Sequence, residues 1–106
     1  METVVTPREL RVKRGDTLAF RAMEIVDDFA TPTAVTFSVL DEDGSSVQLG
    51  SMADGRIYAI GIGEYNCKIP TSVTAALKVR IYPYRLRMTY SEGTFTVAAG
   101  NLRVED

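Results

Sequence analysis

Alternation of apolar and polar side chains with a period of two runs through most of this chain, and no other feature narrows its possible folds as much. In Glu9 to Lys13, Leu10 and Val12 share one parity while Glu9, Arg11 and Lys13 share the other; in Thr33 to Leu40, Val35, Phe37 and Val39 oppose Thr36 and Ser38. Successive side chains of a strand point to opposite faces, so such runs suit strands with one wet and one buried side. No window of eleven or more residues carries a helical period. The sequence predicts an all-β protein.

Turn chemistry cuts the alternation into short pieces. Arg14-Gly15-Asp16, Asp27-Asp28, Asp41-Glu42-Asp43-Gly44, Asp54-Gly55 and Ser91-Glu92-Gly93 separate the runs, and each is rich in residues that tolerate tight backbone geometry. Gly61 and Gly63 are expected at a bulge or a close backbone approach at the end of Arg56 to Ile62. Cys67 to Leu77 has no readable pattern. After it, the apolar phase of Leu77, Val79 and Ile81 gives way to Tyr84, Leu86, Met88 and Tyr90, one residue out of step. Pro83 sits at the slip, and since proline cannot donate to a ladder, the chain is predicted to break at Tyr82-Pro83. A turn at Gly100-Asn101 is predicted to open a short last strand, Leu102 to Val104.

The count is seven to eight antiparallel strands, at spacings typical of a β-sandwich, in one domain spanning residues 1–106. Inward parity predicts a core of Leu10, Val12, Leu18, Phe20, Val35, Phe37, Val39, Val79, Ile81, Leu86, Met88 and Val97. In Tyr84 to Tyr90 the same parity places Arg85 and Arg87 toward water and the tyrosines toward the core.

Composition then removes function classes. The chain has no histidine and a single cysteine, Cys67, so it lacks the commonest general base, the usual zinc, copper and iron ligand sets, and any internal disulfide. Asp41, Asp43 and Gly44 fall short of a calcium loop, because no glutamate follows at the right distance. Gly61-Ile62-Gly63 does not open a helix and cannot serve as a dinucleotide loop. Arg14-Gly15-Asp16 reads as a turn. No nucleophile has an activating partner at a recognisable spacing, so the expectation is a non-enzyme with no cofactor and no metal. A net charge of −2 and a pI near 5.1 give no attraction to a phosphate backbone. No apolar run reaches membrane-spanning length and the N-terminus lacks a signal-peptide layout, which predicts a soluble protein made in the cytoplasm.

Charge is distributed unevenly. Residues 1–23 carry five basic and three acidic side chains, residues 24–64 one and eight, and residues 65–106 six and three. Such asymmetry suits steered contact with a neighbour or with another copy of the chain, so homo-oligomers are among the expected forms. The candidate partner contacts are Arg8, Arg11, Lys13, Arg85 and Arg87, with Asp27, Asp28, Asp41, Glu42 and Asp43 as an opposing acidic set.

Gly15-Asp16-Thr17 between two strands, the Asp43-Gly44 turn, Tyr82 and Tyr84, the Glu92-Gly93 hairpin and the ending Gly100-Asn101-Leu102-Arg103-Val104 together resemble a known domain. They are similar to the immunoglobulin-like N-terminal domain of baseplate upper proteins, and related small β modules, of tailed bacteriophages infecting Gram-positive bacteria. Pro83 between the tyrosines and residues 64–76 depart from that pattern. The resemblance implies an immunoglobulin-like sandwich and a structural protein of the virion, acting in a tail or baseplate through contacts with other phage structural proteins. The alternative is a cell-surface or secreted ligand-binding module of the carbohydrate-binding kind. An exposed, coplanar set of Tyr58, Tyr65, Tyr82, Tyr84 and Tyr90 would mark it, whereas buried tyrosines with an exposed sheet edge would mark assembly.

Overall fold

The computed structural model describes residues 6–7, 9–23, 32–61 and 63–106, and Arg8, Asp27 and Asp28 lie outside them. In chain order the strands are β1 (Thr6–Pro7), β2 (Leu10–Lys13), β3 (Leu18–Met23), β4 (Ala34–Leu40), β5 (Ser46–Ser51), β6 (Ile57–Gly61) and β7 (Glu64–Ile69). A single-turn helix, α1 (Thr71–Ala75), precedes β8 (Ile81–Tyr90) and β9 (Gly93–Glu105). The larger sheet has the order β1-β9-β8-β4-β5, with β2 also on β9, and the smaller sheet has the order β3-β7-β6. Both β1 and β2 run parallel to β9, as two pieces of one edge ribbon, while every other pairing is antiparallel. This is an all-β sandwich with immunoglobulin-like strand order, in which β9, β8, β4 and β5 form one layer and β3, β7 and β6 the other.

The alternation read from the sequence is the alternation of burial. In β2 and β4 every second residue is buried, and Leu10, Val12, Leu18, Val35, Phe37, Val39, Leu86, Met88 and Val97 enter one core, with Phe20 packed against it at the margin. The hairpin of β4 and β5 turns on Asp41 to Ser45, where Gly44 adopts φ +84°, a conformation that favours glycine. The expected bulge at Gly61 is present as a register shift between Ala59 and Gly61.

Val79 and Ile81 are not core residues: they are 51% and 43% exposed. The reason is that residues 77–80 form bends and not a strand, because their backbone groups are taken elsewhere. The Lys78 N–H donates to the Tyr82 hydroxyl at 2.9 Å, and the Arg80 carbonyl accepts from the Val104 N–H. The strand begins at Ile81 and runs unbroken through Pro83, so Tyr82 joins Tyr84, Leu86, Met88 and Tyr90 on the buried side. Pro83 pairs only with Asn101 of β9, and the ladder from β4 starts one residue later at Tyr84. Proline is tolerated there because β8 has a partner on one side only.

The extra residue is absorbed further along. Leu86 pairs with Ala98 but Arg87 with Thr96, which leaves Val97 as the bulged residue of β9. The turn expected at Gly100-Asn101 does not form either, since β9 is continuous from Gly93 to Glu105. A long partner, β8, keeps the ladder going where local sequence would permit a turn.

The core has an aromatic bridge between the sheets. Phe20 on β3 lies 5.1 Å from Phe37 on β4, ring centre to ring centre, and Phe37 lies 5.5 Å from Tyr84 on β8, both in tilted geometry that suits aromatic quadrupoles. Antibody domains join the corresponding two strands by a disulfide packed on a tryptophan; here three aromatic rings fill that place. Tyr82, two residues before Tyr84, forms the matching corner, its hydroxyl tied to the backbone four residues upstream.

Candidate protein-contact face

The outer face of the larger sheet is built by the polar parity of its strands. Arg85 of β8 lies between Ala99 of β9 and Ser38 of β4, and Arg87 lies between Thr96 and Thr36. Beyond Ser38, Gln48 of β5 continues the row, and Thr89 and Thr94 share a hydroxyl contact of 3.0 Å at one end. Small side chains flank both arginines. Arg85 is exposed and Arg87 half-buried. The Arg87 Nε is fully covered and has no hydrogen-bond partner among the described residues, an arrangement that normally costs stability unless an acceptor is supplied.

Of the other candidate cations, Arg11 is engaged within the chain, as is its register partner Arg103. Arg11 lies 3.5 Å from Glu9 and 3.9 Å from Glu105, and Arg103 lies 3.3 Å from Glu9. Lys13 is exposed and stands opposite Glu105 in the β2–β9 register. The acidic turn is also spoken for. Asp41 pairs with Arg80 at 3.6 Å, and Glu42 pairs with Lys78 at 3.6 Å and Arg80 at 3.8 Å. Asp43 accepts the Ser45 N–H at 2.9 Å, and the hydrogen bonds from Ser45, backbone first, hold its carboxyl below the usual aspartate range. Of the candidates within the described residues, Arg85 and Arg87 are thus adjacent on one face, whereas Asp41 and Glu42 are paired with Lys78 and Arg80 and Asp43 accepts a backbone N–H.

Reading the sequence missed Lys78 and Arg80 as the partners of the acidic turn. The Arg80 guanidinium also lies over the Tyr82 ring, 4.5 Å from its centre. The readable signal was Tyr82 itself, a tyrosine two positions before a buried residue near the start of the penultimate strand.

The tyrosines do not form a stacking platform. Tyr65, Tyr82, Tyr84 and Tyr90 are buried, and Tyr58 is 38% exposed on a different sheet from three of them. A groove of about 400 Å³ between α1 and the β4–β5 hairpin has an apolar floor of Val39, Leu49, Val73 and Leu77, and among the described residues Asp41 is the one carboxylate on its lining. Cys67 is buried, and burial, helped by the negative charge of Asp54, pushes its thiol up to about 12; it stays protonated and is a poor nucleophile. Among the described residues no three histidine, cysteine or acidic side chains come together as a metal site.

No protein-family model matches the chain, and no curated protein is similar to it in sequence. Solved structures are similar in fold. The first immunoglobulin domain of the mouse polymeric immunoglobulin receptor superposes with a TM-score of 0.58 at 16% identity, covering 93% of this chain and 90% of that one. Murine CRIg superposes with a TM-score of 0.56 at 16% identity, covering 98% of both chains. At such identity the likeness establishes the immunoglobulin-like fold.

Proposed function

We propose that this chain is a non-enzymatic, protein-binding immunoglobulin-like module, and that its larger sheet meets a carboxylate-bearing surface through Arg85 and Arg87. One observation carries the reading. These two arginines share a face with no carboxylate within ion-pair distance among the described residues, while Arg11, Arg56, Arg80, Arg103 and Lys78 all have one. A partner carboxylate would meet the exposed Arg85 guanidinium in the bidentate geometry that guanidinium favours.

Two settings suit such a module. Cell-surface and secreted binding domains use this sandwich widely, which is an argument from the fold alone. The resemblance read from the sequence supports the other setting, a tail or baseplate component of a phage particle whose partners are other structural proteins and whose place is the virion. A sugar-stacking version of the first setting lacks support, since four of the five tyrosines it would use are buried and Tyr58 alone is exposed.

The test compares wild type with Arg85→Glu/Arg87→Glu in affinity capture from the native source. The expected result is an acidic protein retained by wild type, released as salt is raised to ~1 M, where charges are screened within about 3 Å, and lost in the double variant. Equal retention by both forms would sink the reading. Identification of the retained protein by mass spectrometry, as a virion component or a surface component, separates the two settings.

A further inference from the structure

Among the described residues, the free edges of the sandwich are not equally protected. On β5 the Arg56 guanidinium donates to the Leu49 carbonyl at 2.8 Å and covers the edge. β2 carries Arg11 and Lys13, with Glu9 beside it, and β3 carries Arg21. The edge of the smaller sheet formed by β6, Ile57 to Gly61, has no charged residue and no proline. Four consecutive residues of it, Tyr58 to Gly61, are exposed, and the register shift leaves Ile60 without a β7 partner and 39% exposed. Apolar edges without charge or proline are templates for strand addition, and the bulge at Ile60 is the one guard that β6 carries besides its short length.

We propose that β6 pairs antiparallel with β6 of a second copy about a two-fold axis at Ala59. The Arg56 carbonyl accepts from the Lys68 N–H of β7, so by the alternation of an antiparallel ladder the backbone groups of Ile57 and Ala59 face away from the sheet. Ala59 therefore meets Ala59 of the second copy as a hydrogen-bonded pair. In that register Tyr58 of each copy stands opposite Ile60 of the other, an aromatic against a β-branched side chain, which is a favourable cross-strand pairing made twice by symmetry. A second copy is the favoured occupant because the strand matches itself in this way and, being uncharged, does not repel itself. Pairing joins the two three-stranded sheets into one of six strands and leaves the Arg85 and Arg87 face of each copy open, so the dimer is bivalent toward its partner. The proposal does not depend on that face being used.

A five-residue edge is a small interface, below the ~1,200 Å² of stable complexes, so the dimer is expected to form only as concentration rises. Sedimentation and light scattering from ~1 µM to ~1 mM should show a reversible monomer–dimer equilibrium that is insensitive to salt. Ile60→Lys, which places a charge on an exposed edge position, and Ala59→Pro, which deletes an outward N–H, should each raise the apparent Kd at least ~10-fold with the melting temperature retained. A third variant reads the register directly. Ala59→Cys copies would bring two Cα atoms to about 5.5 Å, inside disulfide range, while Cys67 is buried and cannot compete. Rapid oxidation to a natively folded, cross-linked dimer supports the proposal even where either of the other two variants fails to fold. A strict monomer to ~1 mM, a dimer unchanged by both Ile60→Lys and Ala59→Pro, or wild-type dimers whose Ala59→Cys form does not cross-link would overturn it; the first of these is also the result if the edge serves a different protein.

Discussion

The two sides of β8 differ in everything except their backbone. On one side Tyr82, Tyr84, Leu86, Met88 and Tyr90 are buried; on the other Pro83 and Arg85 are exposed and Arg87 half-buried. The buried side makes the contacts that replace a disulfide: Tyr84 touches Phe37, which touches Phe20 across the sandwich. The open side makes no ion pair among the described residues, although Arg80, one residue before the strand, makes two. Ten residues of sequence thus hold the fold with one parity and leave two arginines without an ion pair among the described residues with the other. Changes on the buried side should act on stability and changes on the open side on binding, and each expectation below sharpens or breaks that division.

The largest effect is expected at the bridge. Phe37→Ala leaves a cavity between both aromatic neighbours and should cost about 3–5 kcal/mol, measured by chemical denaturation; a loss under about 1 kcal/mol would show that the bridge does not hold the sheets. Next comes a pH effect on the facing sheet. The Cys67 thiol has its folded pKa raised from 9.0 to about 12, so its contribution is fully present below pH 9.0. It is lost as pH rises toward 12, by about 1.4 kcal/mol per unit, because the unfolded chain ionises first. Cys67→Ala should remove that part of the alkaline decline while leaving the rest, and identical profiles for the two proteins would refute it.

Tyr82→Phe keeps the ring and deletes one acceptor, stranding the Lys78 N–H; the expected cost is about 1–2 kcal/mol. Hydrogen exchange at Lys78 should quicken in the same variant, which separates a lost corner from a general loosening. The smallest effect on stability belongs to Arg85→Glu/Arg87→Glu. Surface changes usually stay within ±0.5 kcal/mol, so the double variant should melt within a few degrees of wild type while losing its partner. A large destabilisation would place Arg87 in the fold and not in recognition.

Much of this was legible before folding, for a physical reason. Strand parity is a local property, and a residue such as Phe37 or Met88 shares an apolar parity while its neighbours in sequence are polar. The hairpin turns were legible likewise, since Asp43-Gly44 and Glu92-Gly93 supply backbone conformations that few other pairs accept. The same logic placed Arg85 and Arg87 outside and the tyrosines inside.

What the sequence could not determine was where a local signal would be overruled by a partner strand. Val79 and Ile81 alternate as well as any strand in the chain, yet the backbone between them bends, because the hydroxyl of Tyr82 takes the Lys78 N–H and β9 takes the Arg80 carbonyl. Pro83 and Gly100-Asn101 looked like breaks, but β8 and β9 pair with each other along ten residue positions, and that ladder carries both through. Charge behaved in the same way. The sequence showed an acidic middle and basic ends, and only the tertiary structure brought Lys78 and Arg80 onto Asp41 and Glu42 and left Arg85 and Arg87 apart. Composition determines how much charge a chain has; the distance between groups far apart in sequence determines which of it is already spent.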